Sequence, residues 1–284
     1  MLTKTVKLIA LDLDGTLVRE DQSISKEDMD AVARAQMAGI TVVVATGRIF
    51  PTAKELVSHL QISTPVICSN GADVRFENKT IYSRTIENSW LRKAYAELEP
   101  YCFSRFVFCG DHIYCEKGNK HEELFRKWGL DLFHKDLVIF CDDTEALMQT
   151  VGDGAVKLLA CTENESRHGE IQELIDSFGC FDAVKGERLH FELTRKGVTK
   201  ASALEFLACR MGMDMQDVMA IGDSTNDLEM LRCAGVGIAM GNAMEEALAV
   251  ADGVTLPIWE NGVAHAINKY IFDEENACSA ASVG

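Results

Sequence analysis

The sequence lacks three features that mark other classes of protein. No stretch approaches the ~20 consecutive apolar residues that are needed to cross a bilayer. The first apolar run, residues 6–11, leads directly into Asp12 and carries no cleavage-like segment, which argues against a secretory leader. The ten cysteines are scattered, mostly within apolar runs and without a Cys-x-x-Cys pair, so we expect reduced residues of the core. Together these absences predict a cytoplasmic protein.

Positive charge is also scarce. Lysine and arginine number 28 against 44 aspartate and glutamate residues, which gives a net charge of -16. Binding to nucleic acid needs clustered lysines and arginines, and the sequence has no such cluster. The same net charge disfavours an anionic membrane surface. An anionic substrate must therefore be bound by local groups that overcome the field of the whole protein.

The length of 284 residues, with 47% hydrophobic residues, is enough for two domains that each have a core. Apolar runs of strand length alternate with helical segments in the first 83 residues and again from residue 196, which predicts a parallel sheet flanked by helices. Ser25 is predicted to cap a helix that Gly39 ends, and Pro51 to begin a helix that continues to about Leu60.

The middle of the chain has a different pattern. A hairpin is predicted around Gly110-Asp111, and helices are predicted near residues 120–128 and 163–178. We interpret this part as an inserted domain. The predicted domains are a discontinuous core at 1–83 and 194–272, the insertion at 84–193 and a frayed tail at 273–284.

The segment Asp12-Leu13-Asp14-Gly15-Thr16-Leu17 delivers two carboxylates where the first apolar run ends. In an extended strand, residues 12 and 14 would share one face, and the glycine lets the backbone turn away. Two carboxylates near 4 Å apart repel by about 4 kcal/mol at an effective dielectric of about 20, which favours a bound divalent metal or one protonated carboxyl group. Alone, the segment also fits an ordinary polar turn.

Three further motifs follow in order, each at a predicted strand exit or helix start. They are Ala45-Thr46-Gly47-Arg48, Lys200 within Gly197-Val198-Thr199-Lys200-Ala201, and Gly222-Asp223-Ser224-Thr225-Asn226-Asp227. The second and third are individually common as a turn and as a surface lysine, whereas the acidic last motif is more specific. Because four motifs occur in this order, it is a poor explanation that all of them are ordinary turns and surface residues.

These four motifs resemble those of the haloacid dehalogenase superfamily. The insertion between the second and third motifs, together with Ser69-Asn70-Gly71-Ala72, is most similar to the Cof-like, type IIB branch of sugar-phosphate phosphatases. The resemblance covers the chain up to its tail. It implies an α/β fold, in which a Rossmann-like parallel sheet carries an inserted α+β type II (C2B) cap domain that covers the site.

The resemblance also implies residue roles. Asp12 is expected to be the nucleophile that forms an aspartyl-phosphate, and Asp14 the general acid and base. Mg²⁺ is expected on Asp12, the Asp14 backbone carbonyl and Asp223, a hard-oxygen set. The groups expected to hold the phosphoryl oxygens are Thr46, Lys200, Asn226 and the backbone amides of Leu13 and Gly47.

Three residues are expected to support this site. Asp227 is predicted to orient Lys200 or a metal-bound water, and Arg48 and Asn70 are placed near the mouth of the site. Lys196 competes with Lys200 for the phosphate-binding role, and the lysine that follows Gly-Val-Thr, Lys200, matches the family spacing.

The expected function is Mg²⁺-dependent hydrolysis of small phosphate monoesters, either sugar phosphates or phosphorylated cofactors. A phosphomutase of the same superfamily uses the same motifs, and a non-catalytic phosphosugar-binding sensor is the alternative of a different class. A dehalogenase has no use for Asp14, and a receiver-type signalling module has no reason for the large insertion. The sequence leaves the physiological substrate and the oligomeric state open.

Overall fold

The computed structural model describes residues 6–61, 63–118, 135–186 and 190–272. Within them the strands are β1 Leu8–Leu11, β2 Thr41–Ala45, β3 Val66–Cys68, β4 Asp73–Phe76, β5 Lys79–Ser83, β6 Ser104–Cys109, β7 His112–Glu116, β8 Val138–Cys141, β9 Ala155–Cys161, β10 Phe181–Gly186, β11 His190–Arg195, β12 Val218–Gly222, β13 Val236–Ala239 and β14 Gly253–Val254. The α-helices are α1 Lys26–Met37, α2 Phe50–His59, α3 Asn88–Glu97, α4 Thr144–Val151, α5 His168–Phe178, α6 Lys200–Arg210, α7 Leu228–Cys233, α8 Glu245–Val250 and α9 Gly262–Ile267.

The first sheet has eight strands in the order β14-β13-β12-β1-β2-β3-β4-β5. Strands β14 to β3 are parallel to their neighbours, which confirms the predicted parallel sheet. The edge differs from the prediction, because β4 and β5 form an antiparallel hairpin after β3. Apolar side chains pack on both faces of this sheet, so it forms the centre of a three-layer α/β unit.

Local signals place the helices of this unit. The Ser25 side chain accepts a hydrogen bond from the Asp28 amide at the start of α1, and Gly39 follows that helix with a φ of 85°. Pro51 lies in the first turn of α2, as predicted. Thr199 caps α6, so Lys200 is the first residue of that helix. The Lys200 side chain extends from this helix start to Asp12, which follows β1.

The second sheet has six strands in the order β10-β11-β9-β6-β7-β8. The predicted hairpin is confirmed, because β6 and β7 pair across Gly110-Asp111, where Gly110 has a φ of 58°. The helix predicted near residues 163–178 begins later, at His168, after a 3₁₀ turn. The helix predicted near 120–128 and the tail from 273 lie outside the described residues. The predicted domain boundaries stay a prediction.

Apolar contacts join the two sheets. One buried cluster combines Ile49, Ala72 and Val198, which belong to loops beside the first sheet, with Phe106 and Leu159 of the second sheet. This cluster lies beside the space between the sheets and holds them together.

The described cysteines are free, and most are buried or half-buried. Cys209 and Cys233 are exposed, so the expectation of core positions is wrong for these two, which lie near the solvent-side ends of α6 and α7. Among the described residues, no helix is both long enough and apolar enough to cross a membrane.

Candidate active site

Polar residues follow four strands of the first sheet at one edge. Asp12 follows β1, Thr46 follows β2, Asn70 lies just after β3, and Asp223 follows β12. Because β12, β1, β2 and β3 are adjacent and parallel, their carboxyl ends meet at this edge. The strand order therefore gathers motifs that are up to 211 residues apart in the sequence (223 − 12).

Lys200 is at the centre of this group. Its Nζ atom donates hydrogen bonds to Asp12 Oδ1 at 2.6 Å and to Asp227 Oδ1 at 2.7 Å. The other carboxylate oxygen of Asp227 accepts from the backbone amides of Asp223 and Ser224, at 3.0 and 3.1 Å. Asp227 thus contacts both Lys200 and the backbone of the last motif.

Asp223 is fixed by a neighbour that the sequence did not indicate. The Thr16 hydroxyl donates to Asp223 Oδ1 at 2.7 Å. Gly15 has a φ of 83°, and a Cβ atom on it would lie 2.3 Å from Asp223 Oδ2. Only glycine fits this position, because a side chain would be strained there and would displace the carboxylate. The first and last motifs therefore contact each other directly.

The carboxylates fit a divalent cation. Ligand atoms of Asp12, Asp223 and Asp227 lie within 4.8 Å of one another, and all three residues are buried. Carboxylate oxygens are the ligands that Mg²⁺ prefers. Since Asp227 already accepts hydrogen bonds at both oxygens, Asp12 and Asp223 are the side chains of this set better suited to direct ligation.

The electrostatics of the group favour added positive charge. Burial raises the pKa of Asp12 and raises the pKa of Asp223 to about 6. Burial acts to lower the pKa of Lys200, but the charges of Asp12 and Asp227 outweigh it and raise that pKa above its ordinary value. Lys200 is therefore a permanent cation, and the carboxylates around it ionise more readily when a second cation is present.

Asp14 has different surroundings from Asp12. Strand β1 ends at Leu11, so strand alternation does not extend to residues 12 and 14. Asp12 is buried, whereas the Asp14 side chain is 54% exposed and forms an ion pair with Arg48, whose Nε atom donates to Asp14 Oδ2 at 2.8 Å. Arg48 also donates to Gln22 Oε1 at 2.7 Å. The two carboxylates thus have separate cationic partners, Lys200 and Arg48.

The remaining predicted phosphate-binding residues are partly engaged with each other. Thr46 Oγ1 accepts from the Arg48 amide at 3.1 Å. Asn226 donates from Nδ2 to Asn70 Oδ1 at 3.0 Å. Leu13 is buried directly after Asp12. Lys196, the competing lysine, donates from its backbone amide to Cys180 O, whereas Lys200 is the lysine that contacts Asp12.

A cavity of about 1000 Å³ opens beside these groups. Its wall from the first sheet includes Asp12, Asp14, Gly47, Arg48, Asp223 and Asn226, and its wall from the second sheet includes Phe106, Phe108, Lys157, Leu159, His190 and Glu192. The cavity therefore lies between the two sheets, and its size suits a small molecule.

Among the polar residues of the cavity wall that were not predicted, Lys157 and Glu192 link the two sheets. Lys157 donates from Nζ to Gly47 O at 2.7 Å and to Glu192 Oε1 at 3.0 Å. Glu192 Oε2 accepts from Asn70 Nδ2 at 2.5 Å. The one local signal was a lysine in the middle of the otherwise apolar strand β9, Ala155–Cys161.

Comparisons with known proteins agree with this geometry. A model of the haloacid dehalogenase-like hydrolase family matches residues 9–267. The chain is 30% identical to the 5-amino-6-(5-phospho-D-ribitylamino)uracil phosphatase YcsE of Bacillus subtilis, over 94% of this chain and 96% of that protein. It is 32% identical to the phosphatase YwpJ of the same organism, over 92% of this chain and 98% of that protein. The solved HAD subclass IIB sugar phosphatase BT4131 superposes with a TM-score of 0.79 at 26% identity, covering 93% of this chain and 99% of that one.

Fold and site together define an α/β enzyme whose buried carboxyl groups stand at the carboxyl edge of a parallel sheet. The chain belongs to the haloacid dehalogenase-like hydrolase family, in its Cof-like, type IIB branch. It is a phosphatase of that superfamily, that is, a phosphoric monoester hydrolase.

Proposed function

We propose that the protein hydrolyses small phosphate monoesters with Mg²⁺ as its cofactor, through a phosphorylated Asp12. The observation that carries this proposal is the environment of Asp12. It lines the cavity, contacts the Lys200 ammonium at 2.6 Å, and lies within 4.8 Å of the Asp223 and Asp227 ligand atoms. A carboxylate held in this way is positioned toward the cavity and charge-compensated, as a nucleophile must be.

The chemical steps use two aspartates. A carboxylate oxygen of Asp12 attacks phosphorus, the bond from phosphorus to the leaving oxygen breaks, and Asp14 donates a proton to that oxygen. Asp14 then takes a proton from a water molecule, whose oxygen attacks the same phosphorus and breaks the bond to Asp12. Since both carboxylate oxygens of Asp14 accept hydrogen bonds from Arg48, Asp14 must leave Arg48 to reach the leaving oxygen and the water molecule.

The phosphoryl group needs several donors at once. The proposed donors are Lys200, Thr46, Asn226 and the backbone amides of Leu13 and Gly47. Mg²⁺ would be held by Asp12, Asp223 and the Asp14 backbone carbonyl, and it would offset the charge of the carboxylates and of the phosphoryl group. Arg48 lines the cavity and Asn70 contacts Asn226, and both are proposed to lie near the mouth of the site.

The proposed substrates are sugar phosphates or phosphorylated cofactors. The relatives support this range, because one is named for a phosphoribitylaminouracil and another as a sugar phosphatase. The cavity between the sheets has room for such leaving groups. We further propose that residues 84–193 act as a cap domain over a core formed by residues 1–83 and 194–272, because the second sheet supplies the cavity's opposite wall.

The test is phosphate release from p-nitrophenyl phosphate and from a panel of sugar and cofactor phosphates, with Mg²⁺ or EDTA. We expect Mg²⁺-dependent turnover that Asp12→Asn lowers by roughly 10³-fold or more, because the nucleophile is removed. The matched control is Asp111→Asn, an aspartate at the turn between β6 and β7 that does not line the cavity.

Three results would contradict the proposal. Turnover that persists in EDTA would remove the metal from the mechanism. Tight binding of one ester without release would indicate a sensor, and isomerisation of that ester would indicate a mutase.

A further inference from the structure

The buried Lys157 on β9 and the half-buried Glu192 on β11 form an ion pair that extends from the second sheet to the phosphate-binding loops of the first. We propose that this pair positions the phosphate-binding groups of Thr46 and Asn226, so that the second sheet completes the phosphate site. The proposal rests on the proposed function, because it concerns the same phosphoryl group.

The pair belongs to the sheet itself. Strands β9 and β11 are antiparallel neighbours, and Glu192 is opposite Leu159. Since Lys157 is two residues from Leu159, it lies on the same face of the sheet as Glu192. The two side chains are 3.0 Å apart at Lys157 Nζ and Glu192 Oε1, and the Lys157 ammonium also stands 4.4 Å from the centre of the Phe108 ring. The pairing of β9 with β11 and the Phe108 ring together fix the orientation of the Lys157 side chain.

The first arm of the pair ends at Thr46. Lys157 donates to the Gly47 carbonyl oxygen at 2.7 Å, and the Arg48 amide donates to Thr46 Oγ1 at 3.1 Å. This carbonyl and this amide belong to one planar peptide unit, so a contact that orients the carbonyl also orients the N–H group. With its oxygen accepting from that N–H group, the Thr46 hydroxyl keeps its proton for another acceptor, such as a phosphoryl oxygen.

The second arm ends at Asn226. Glu192 accepts from Asn70 Nδ2, which leaves Asn70 Oδ1 as the acceptor for Asn226 Nδ2 at 3.0 Å. Asn226 Oδ1 in turn accepts from the Ser224 hydroxyl at 2.8 Å. Because an ionised carboxylate only accepts, Glu192 determines which end of the Asn70 amide faces Asn226. One N–H group of Asn226 is then left for a phosphoryl oxygen.

The two arms meet at Gly47. A Cβ atom on this residue would lie 2.9 Å from Asn70 Oδ1, 3.4 Å from Glu192 Oε2 and 3.6 Å from Asn226 Nδ2. The packing is therefore so close that a shift of Glu192 must move the loop or the amides.

The pair is also costly to bury unless all its partners are present. Lys157 is only 2% exposed, and ions that are taken out of water need complete hydrogen bonding to offset their lost hydration. The partners that complete the pair, Gly47 and Asn70, belong to the other sheet. The phosphate-binding groups are consequently ordered only when the two sheets are together.

The experiment compares Glu192→Gln with wild type and with the control Asp111→Asn. Asp111 forms another ion pair between the sheets, with Arg75 at 3.2 Å, but it is half-exposed and contacts no phosphate-binding group. The measurements are the inhibition constant of inorganic phosphate and kcat/KM for p-nitrophenyl phosphate and for a hexose phosphate. We expect Glu192→Gln to weaken inhibition by phosphate about tenfold and to lower kcat/KM by a similar factor for both esters, because misplaced positioning groups affect the shared phosphoryl group. The control should match wild type.

An unchanged inhibition constant in Glu192→Gln would overturn the proposal, as would a loss confined to one ester, which would assign the pair to the leaving group. If Glu192→Gln does not fold, the double variant Lys157→Met/Glu192→Gln replaces it, because it leaves no lone buried charge. That double variant should show the same weakened inhibition, and a wild-type constant in it would overturn the proposal. An inactive wild type would overturn the proposed function as well, whereas an active wild type with an unaffected variant overturns the positioning role alone.

Discussion

Two buried lysines of this protein have the same type of partner but different charge balances. Lys200, at the edge of the first sheet, contacts Asp12 and Asp227, and Asp223 lies close by. When ionised, these three carboxylates exceed the one ammonium by two negative charges. Lys157, on the second sheet, has Glu192 and a neutral carbonyl, so its group is balanced. The first group therefore has negative charge left over that a divalent cation would neutralise, whereas the charges of the second group are already balanced.

The largest expected effect separates the two lysines. Lys200→Met leaves buried carboxylates without a cation, so we expect the free energy of unfolding in EDTA to fall by about 3–5 kcal/mol and phosphate release to be lost. Lys157→Met leaves a single carboxylate, Glu192, which still accepts a hydrogen bond from Asn70. The free energy of unfolding should therefore fall less in Lys157→Met than in Lys200→Met. Urea unfolding measures both. Added Mg²⁺ should restore part of the stability of Lys200→Met and none of that of Lys157→Met. An equal response of the two variants to Mg²⁺ would contradict the difference in charge balance between the two groups.

A second prediction concerns Mg²⁺ itself. A ligand at 100 times its dissociation constant stabilises the folded state by about 2.7 kcal/mol, so Mg²⁺ should raise the Tm of the wild type. Asp223→Asn should remove most of this rise, because it removes a carboxylate of the unbalanced group. Glu192→Gln serves as the matched control and should keep it. A full rise in Asp223→Asn would place the cation elsewhere.

The smallest effect is a difference in pH dependence. Burial raises the pKa of Asp223 to about 6, above its ordinary 3.8, so in EDTA its contribution to stability is full below about pH 4 and is lost as the pH rises through 6. Burial acts to raise the pKa of Glu192 too, but the charges of Lys157 and His190 and the hydrogen bonds from Lys157 and Asn70 together outweigh it, and the pKa ends below 4.5. Glu192 therefore stabilises above its ordinary pKa, and this contribution is lost as the pH falls through its lower folded pKa.

Urea unfolding of wild type, Asp223→Asn and Glu192→Gln across pH 4 to 7 in EDTA checks these opposite signs, and a shared sign for the two substitutions would contradict them. The difference in the free energy of unfolding between each variant and wild type separates the contribution of Asp223 or Glu192 from that of the other titrating residues.

The motifs of the first sheet could be predicted because they interrupt apolar runs at strand ends. Asp12 and Asp223 are acidic residues directly after buried strands, and parallel strands place such residues at one edge. Lys157 had no comparable signal. In a sequence, a lysine between apolar neighbours in a strand looks like an ordinary residue that faces solvent. The Gly47 carbonyl that Lys157 contacts is 110 residues away in the chain. Contacts that only the folded chain brings together leave no local pattern.

The hairpin of β4 and β5 was missed for a local reason. Its two-residue turn is Glu77-Asn78, with φ angles of 48° and 66°. Such turns usually carry glycine, and a glutamate rarely adopts a left-handed conformation, so the residues gave a weak turn signal. The different surroundings of Asp14 were equally hidden, because its partner Arg48 follows another strand.

The chain leaves the first sheet after β5 and returns to it before α6, so the second sheet is tethered at both ends. Tethering makes the approach of the two sheets a unimolecular event whose rate does not depend on protein concentration. Short tethers create effective concentrations in the millimolar range. A binding free energy of about 4 kcal/mol corresponds to a dissociation constant near 1 mM, so a contact of that strength would be formed about half the time at such a concentration. The apolar cluster around Ile49 and the polar contacts around Gly47 therefore need only modest strength to hold the two sheets together.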